Sequence, residues 1–226
     1  MATIILRPSA DVSLGHSCSS GSNGYSLINE SSADDNSTYI YQSISSTSSS
    51  SKTSTFKMSG TLSTSNKIKV TSVKVYVRAY ENGNSDYTCS GKYKISVGSN
   101  SSSEAEMSNL TSQSSYTNYS TTYSASDLNI SALNFSGLDD LNMTVTVSTS
   151  GNLTSTKGDS FNVRITQIYA EVTYEEVVSG GTGLYMKSNG SYVEVQKVYK
   201  KNNGIYVEQT DLKSLFSTST KYKKGN

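Results

Sequence analysis

From Ser72 to Tyr80 the chain reads Ser-Val-Lys-Val-Tyr-Val-Arg-Ala-Tyr. Side chains on an extended strand alternate faces. Val73, Val75, Val77 and Ala79 therefore share a dry face, and Lys74, Tyr76, Arg78 and Tyr80 a wetter one. Phe161–Tyr174 repeats the pattern, but its phase changes midway: Phe161, Val163 and Ile165 alternate in one register, Ile168, Ala170, Val172 and Tyr174 in the other. A slip of one residue would turn every later side chain over, so a β-bulge is expected at Thr166-Gln167.

Further strands are predicted at Thr3–Arg7 (closed by the single proline, Pro8), Tyr25–Asn29, Thr38–Ile44, Thr55–Ser63, Lys92–Gly98 and Asn142–Ser148. Phe56, Met58, Gly60 and Leu62 alternate in the fourth of these, and Tyr93, Ile95 and Val97 face inward in the fifth. Asn82-Gly83 after the organising strand reads as a hairpin turn returning at Lys92. Ser31–Asn36 is a turn by composition, and Ser45–Ser51 is too polar to be core. Ser99–Ser126 holds one or two edge strands carrying Tyr116, Tyr119 and Tyr123. Leu128, Leu133, Phe135, Leu138 and Leu141 suit a loop or helical turn plugging an end of the core. About eight strands at this spacing predict an all-β fold, a jelly-roll-like antiparallel β-sandwich over residues 1–178.

Residues 179–183 read as a glycine-rich linker. Beyond it, Tyr185–Glu194 and Tyr199–Glu208 repeat at a spacing of 14, each with a central Asn-Gly. Each predicts a strand, a tight turn and a strand, so residues 184–226 form a small C-terminal β-hairpin module. About 40 residues do not readily stand alone, so the module is expected to pack against another copy, the body or a neighbouring protein, with partner binding through Tyr185, Tyr192, Tyr199, Tyr206, Lys187 and Lys201. Asp211–Phe216 reads as one capped turn.

Composition sharpens this. Only 16% of residues are charged and one is proline, with Tyr the dominant aromatic at 17 copies and no Trp, which favours sheet over both helix and disorder. Residues 1–183 carry 11 Lys/Arg against 15 Asp/Glu, a net −4, whereas residues 184–226 carry eight Lys against three acids, a net +5. The basic tail suits a solubilised hairpin or a dock on an acidic surface. With no Arg cluster and no reading helix, nucleic acid is not expected. The apolar run near the N-terminus is broken by Arg7 and Pro8, which predicts neither a secretory signal nor a membrane anchor.

Candidate chemistry is sparse. His16, the single histidine, sits beside Ser17 and Cys18, where neighbouring side chains point apart, and reads as an incidental loop residue. Asp34-Asp35 and Asp139-Asp140 read as turn-capping pairs rather than an acid/base couple or a calcium loop. No metal or cofactor is expected, and an enzyme is not. Cys18 and Cys89 could pair or stay as thiols. The rows Tyr76/Tyr80 and Tyr39/Tyr41 could stack on sugars, as in a carbohydrate-binding module. The absence of Trp, the usual sugar platform, favours the other account: the rings are buried at a sheet surface or subunit interface with the hydroxyls wet.

Lys69–Ala79, Ser126-Asp127-Leu128, Leu141–Val147 and Ile168–Tyr174 together resemble virion proteins of tailed bacteriophages of Gram-positive hosts. Lys-x-Asn-Gly-x-Tyr-Val-Glu, present at Lys187–Glu194 and Lys201–Glu208, is similar to a small C-terminal module on such proteins. The resemblance implies a structural or accessory part: capsid decoration, head fibre, or neck or tail appendage. It implies capsid, neck or tail subunits as partners, a homo-oligomer, and assembly onto the virion in the host cytoplasm. Weak adhesion to host-wall glycans is the alternative.

Overall fold

The computed structural model describes the chain except for residues 45–49, 63, 65, 83–86, 111–114, 132, 138–140, 154–160, 178–184, 189–190, 195–196, 203 and 209–226. Outside the described residues lie residues 45–49 of the serine run, the glycine-rich linker, the Gly83 turn, Asp139-Asp140, Leu138, the Asn189-Gly190 turn and the Asp211 turn. The chain divides into two compact units, Met1–Val177 and Val178–Asn226.

The first unit is an antiparallel β-sandwich. Its strands are β1 (Ala2–Leu14), β2 (Ser17–Cys18), β3 (Ile40–Ile44), β4 (Ser50–Ser59), β5 (Lys67–Asn82), β6 (Tyr87–Val97), β7 (Asn100–Ser101), β8 (Ala105–Glu106), β9 (Thr117–Ser124), β10 (Met143–Leu153) and β11 (Phe161–Val177). One layer runs β2–β3–β11–β5–β9, with the first half of β1 also beside β11. The other runs from the second half of β1 through β4, β10 and β6 to β7 and β8.

β5 and β11 form the spine, paired from Lys67↔Val177 to Asn82↔Asn162. Val73, Val75, Val77 and Ala79 are fully buried, as are Val163, Ile165, Ile168, Ala170 and Val172 across from them. At about 1.5–3 kcal/mol for each large apolar side chain taken out of water, these rows are the main reason the layers close. The expected bulge is present. The ladder shifts between Ile165 and Gln167, and Thr166, Gln167 and Ile168 are all buried. Here β3 ends and β1 has not yet begun along the other edge of β11. The segment after Leu27 fills the gap: Ile168 N–H donates to the Ile28 carbonyl (2.9 Å), Thr166 Oγ1 to that of Thr38 (3.0 Å), and Gln167 Nε2 to that of Glu30 (2.8 Å). The bulge thus satisfies backbone groups that no ladder reaches.

Three expectations are corrected. The first strand does not stop at Pro8. It runs on to Leu14, leaving β11 after Leu6 and pairing with β4 from Arg7, with shifts at Pro8/Ala10 and Asp11/Ser13. Proline costs no ladder bond where a strand changes sheets. Tyr25–Asn29 is no strand: Tyr25–Leu27 is a 3₁₀ turn, held because Asp11 accepts from the Gly24 and Tyr25 amides at 2.9 and 2.7 Å. And β6 is not the hairpin partner of β5. Both edges of β5 are taken, by β11 and β9, so the chain crosses to the other layer and β6 pairs with β10.

Tyr93, Ile95 and Val97 on β6 face the core, as do Phe56 and Met58 on β4, whereas Gly60 lies beyond the end of β4 and is exposed. Leu128, Ile130, Phe135 and Leu141 plug one end, pinned by paired amide–carbonyl bonds between Phe135 and Ile68 (2.8 Å each), while Leu133 points to water. Cys18 and Cys89 are not joined in a disulfide.

The second unit holds two hairpins: β12 (Tyr185–Ser188) with β13 (Ser191–Glu194), and β14 (Tyr199–Asn202) with β15 (Ile205–Glu208). Gly204 has φ +87, the left-handed value that glycine takes freely in a tight turn.

Candidate functional site

Three places gather side chains with chemical potential: the outer face of the β5/β11 layer, the interior beneath the β1–β2 corner, and the hairpins.

On the outer face, Tyr76 and Tyr169 are opposite one another in the ladder and their rings stack at 4.3 Å, 14° from parallel. Lys74 Nζ lies 4.7 Å from the Tyr76 centroid and the Arg7 guanidinium 5.4 Å from that of Tyr169. Further along, Arg78 forms a two-pronged pair with Asp35 (2.6 and 2.8 Å) and leans on Tyr116 at 5.6 Å. Arg164 lies 4.6 Å over Tyr39 and donates to Asn36 Oδ1 at 3.0 Å. Tyr39 and Tyr41 meet edge to face, and Tyr80 and Tyr116 at a tilt. The Arg78 guanidinium holds the Asp35 carboxyl below the usual carboxylate range. All these residues except Asn36 are half-buried. Cations and neighbouring rings cover the tyrosine faces, and so little free ring is left for a sugar. The arrangement is a ring-and-guanidinium lattice that stiffens the sheet.

His16 is not an incidental loop residue. It is 4% exposed, inserted beneath the corner between β1 and β2. Gly15 permits this, because a Cβ there would collide with the Thr53 backbone. Ser54 Oγ, itself fully buried, accepts from the Gly15 and His16 amides (3.1 Å each), and lies 2.8 Å from His16 Nδ1. His16 Nε2 is 2.9 Å from Thr149 Oγ1. Thr149 donates to Gln42 Oε1 at 2.6 Å, and Gln42 Nε2 donates to Ser50 Oγ at 2.9 Å. Thr149 has spent its proton on Gln42, so Nε2 carries the imidazole proton and Nδ1 accepts from Ser54. A hydroxyl 2.8 Å from an imidazole is nucleophile–base spacing. Here, however, both groups are sealed from solvent, and the chain of donors ties β3 to β4 and β10 across the two layers. Burial, then the Lys52 charge, lowers the His16 pKa to about 4.

Of the expected partner-binding residues, Tyr199 is 51% and Tyr206 68% exposed, and Ile205, on the opposite face of the hairpin, is 69% exposed. Lys201 is opposite Tyr206 in the ladder, its ammonium 5.7 Å from the ring. Lys197 pairs with Glu208 at 2.9 Å. In the first hairpin Tyr185 is the register partner of Glu194, and Lys187 of Tyr192. Among the described residues no cluster of three or more His, Cys, Asp or Glu could hold a metal, and no helix is long and apolar enough to cross a membrane.

No family model matches the chain, and no curated protein does. Two solved structures show a faint likeness. One, described as a crystal structure with a xylogluco-oligosaccharide, is 13% identical, with 77% of this chain covered and 39% of that one, at a TM-score of 0.33. The other, the Gt strain of infectious bursal disease virus, is 8% identical, covering 78% and 60%, at a TM-score of 0.30. The chain spans less than two thirds of either.

Proposed function

We propose that the chain is a non-enzymatic structural protein of a bacteriophage particle, of the capsid-decoration, head-fibre or neck/tail accessory kind. It docks on neighbouring virion subunits through its C-terminal hairpins. The observation that carries this reading is the exposure of apolar side chains on both faces of the second hairpin. Tyr199, Ile205 and Tyr206 stand more than half in water on strands of four residues. A two-stranded hairpin of that size is marginal by itself, and lone apolar groups set among lysines fit an interface core with a polar rim. The motif resemblance of both hairpins supports the same assignment.

The test is incorporation. Particles from a phage encoding Tyr199→Ala/Ile205→Ala/Tyr206→Ala should sediment without this protein, while the wild-type chain co-sediments. Full incorporation of the variant removes the hairpins from the docking role. A cell-wall pull-down separates the glycan alternative, which lies on the sandwich loops or tyrosine face: retention of the wild-type chain on host walls, kept in the same variant, would favour adhesion over docking.

A further inference from the structure

We propose that the free edge of β9 is a self-association surface, on which a second copy of this chain lays its own β9 antiparallel to form one continuous sheet. This is independent of the hairpins' role.

The phase of the ladder shows which groups are open. Ala125 N–H donates to the Thr71 carbonyl at 2.9 Å, in the register that sets Ser124 opposite Ser72. Antiparallel bonding alternates along a strand, so the odd-numbered residues of β9 bond β5. The N–H and C=O of Asn118, Ser120, Thr122 and Ser124 point the other way. Ser124 is closed off, its N–H donating to Asp127 Oδ2 at 2.7 Å. That leaves Asn118, Ser120 and Thr122 with backbone facing outward. Their side chains are exposed too, and among the described residues no strand pairs with that edge.

Most other borders of the sandwich are blunted by devices that discourage edge pairing, and the first half of β1 beside β11 offers only the five residues Ala2–Leu6. β2, β7 and β8 are two residues long. The outer half of β1 carries Pro8, Asp11 and two register shifts. β9 has none of these. It is eight residues long, Thr-Asn-Tyr-Ser-Thr-Thr-Tyr-Ser, without charge or proline.

The same features select the occupant. The open groups at 118, 120 and 122 are symmetric about Ser120, as a two-fold contact requires. Asn118 would face Thr122 of the second copy, and Ser120 its own counterpart, giving three narrow pairs with two bonds each. The facing side chains are small and neutral, so no like charges meet, and the capped Ser124 amide ends the ladder.

The experiment is light-scattering mass determination on the full chain across a concentration series. Proline at 120 removes only an N–H that points away from β5, so Ser120→Pro should keep the fold, and Thr122→Lys places a charge on the two-fold edge. The expected result is a wild-type dimer, both variants monomeric or weakened by about tenfold or more, and Tyr199→Ala/Tyr206→Ala still dimeric. A wild-type chain that stays monomeric, or a dimer that survives both β9 variants, would overturn the proposal. Circular dichroism checks folding, and Thr122→Lys decides alone if Ser120→Pro does not fold.

Discussion

Ser54 on β4 gives its hydroxyl proton to Nδ1 of His16 across 2.8 Å, in a place neither residue shares with water. An imidazolium there would lose that acceptor, and the neutral ring is correspondingly favoured, with a pKa of about 4 against 6.5 in an unfolded chain. Between those values the unfolded state binds the proton and the folded state does not. Stability is therefore full above the unfolded pKa and falls as pH drops from about 6.5 to about 4, by roughly 3 kcal/mol. Urea unfolding at pH 7.5 and at pH 4.5 measures the drop. His16→Gln removes the titrating group and should flatten the dependence over this window, at the cost of lower stability at pH 7.5. An unchanged slope in that variant would mean that other groups carry the acid sensitivity.

The polar tie around His16 was written in the alternation. Ser54 is in phase with Phe56 and Met58, Thr149 with Val145 and Val147, and Gln42 with Ile40 and Ile44. Each is a polar residue at an inward position, and a buried polar side chain must find a partner. What periodicity could not supply is the match between them, since Gln42 and Thr149 are 107 positions apart. The long strands β5 and β11 and the bulge at Thr166-Gln167 were legible because each depends on local pattern, whereas Tyr25–Asn29 carried a strand-like pattern and folds as a 3₁₀ turn at Tyr25–Leu27. The paths of β1 and β6 were not legible. A turn signal such as Asn82-Gly83 says that the chain reverses, whereas which layer it re-enters depends on edges already claimed by β9 and β11. The outer lattice was half legible: the tyrosines shared faces as expected, and Lys74 covers Tyr76 from the same strand, but the guanidiniums over Tyr169, Tyr116 and Tyr39 come from strands distant in sequence.

The stacked pair Tyr76 and Tyr169 is expected to show its coupling in a double-mutant cycle. Aromatic pairs contribute about 0.5–1.5 kcal/mol beyond the area they bury. Tyr76→Ala and Tyr169→Ala should each destabilise, and the double variant should fall short of their sum by about that amount. Additive losses would show that the rings merely lie close.

Asp35 combines two demands, the ion pair to Arg78 and a backbone at φ +54. Asn tolerates that left-handed conformation and Ala does not. Asp35→Asn should thus cost only the charge, under about 1 kcal/mol for a pair this exposed, and Asp35→Ala distinctly more. With its pKa lowered by Arg78, the carboxylate's contribution is complete above its unfolded value and is lost only at lower pH. The Asp35→Asn difference should therefore be the same at pH 7.5 and at pH 5. Thermal melts of both variants at the two pH values check the order and the constancy.

Gly15 is the hinge of the same interior tie, and its role can be separated from that of His16. A methyl group at this position would run into the Thr53 backbone, which cannot move without disturbing the β4 ladder. Gly15→Ala should push the corner outward and stretch the two amide bonds to Ser54, for a loss of about 1–3 kcal/mol. Ser54→Ala removes the acceptor of those bonds and the donor to Nδ1 together, with a loss of similar size. If Gly15 matters because it lets the corner reach Ser54, part of its cost vanishes once Ser54 is gone, and the double variant is less destabilised than the two singles combined. Urea midpoints of the four proteins decide it. Strict additivity would assign the Gly15 effect to the clash alone and leave the inserted imidazole indifferent to it.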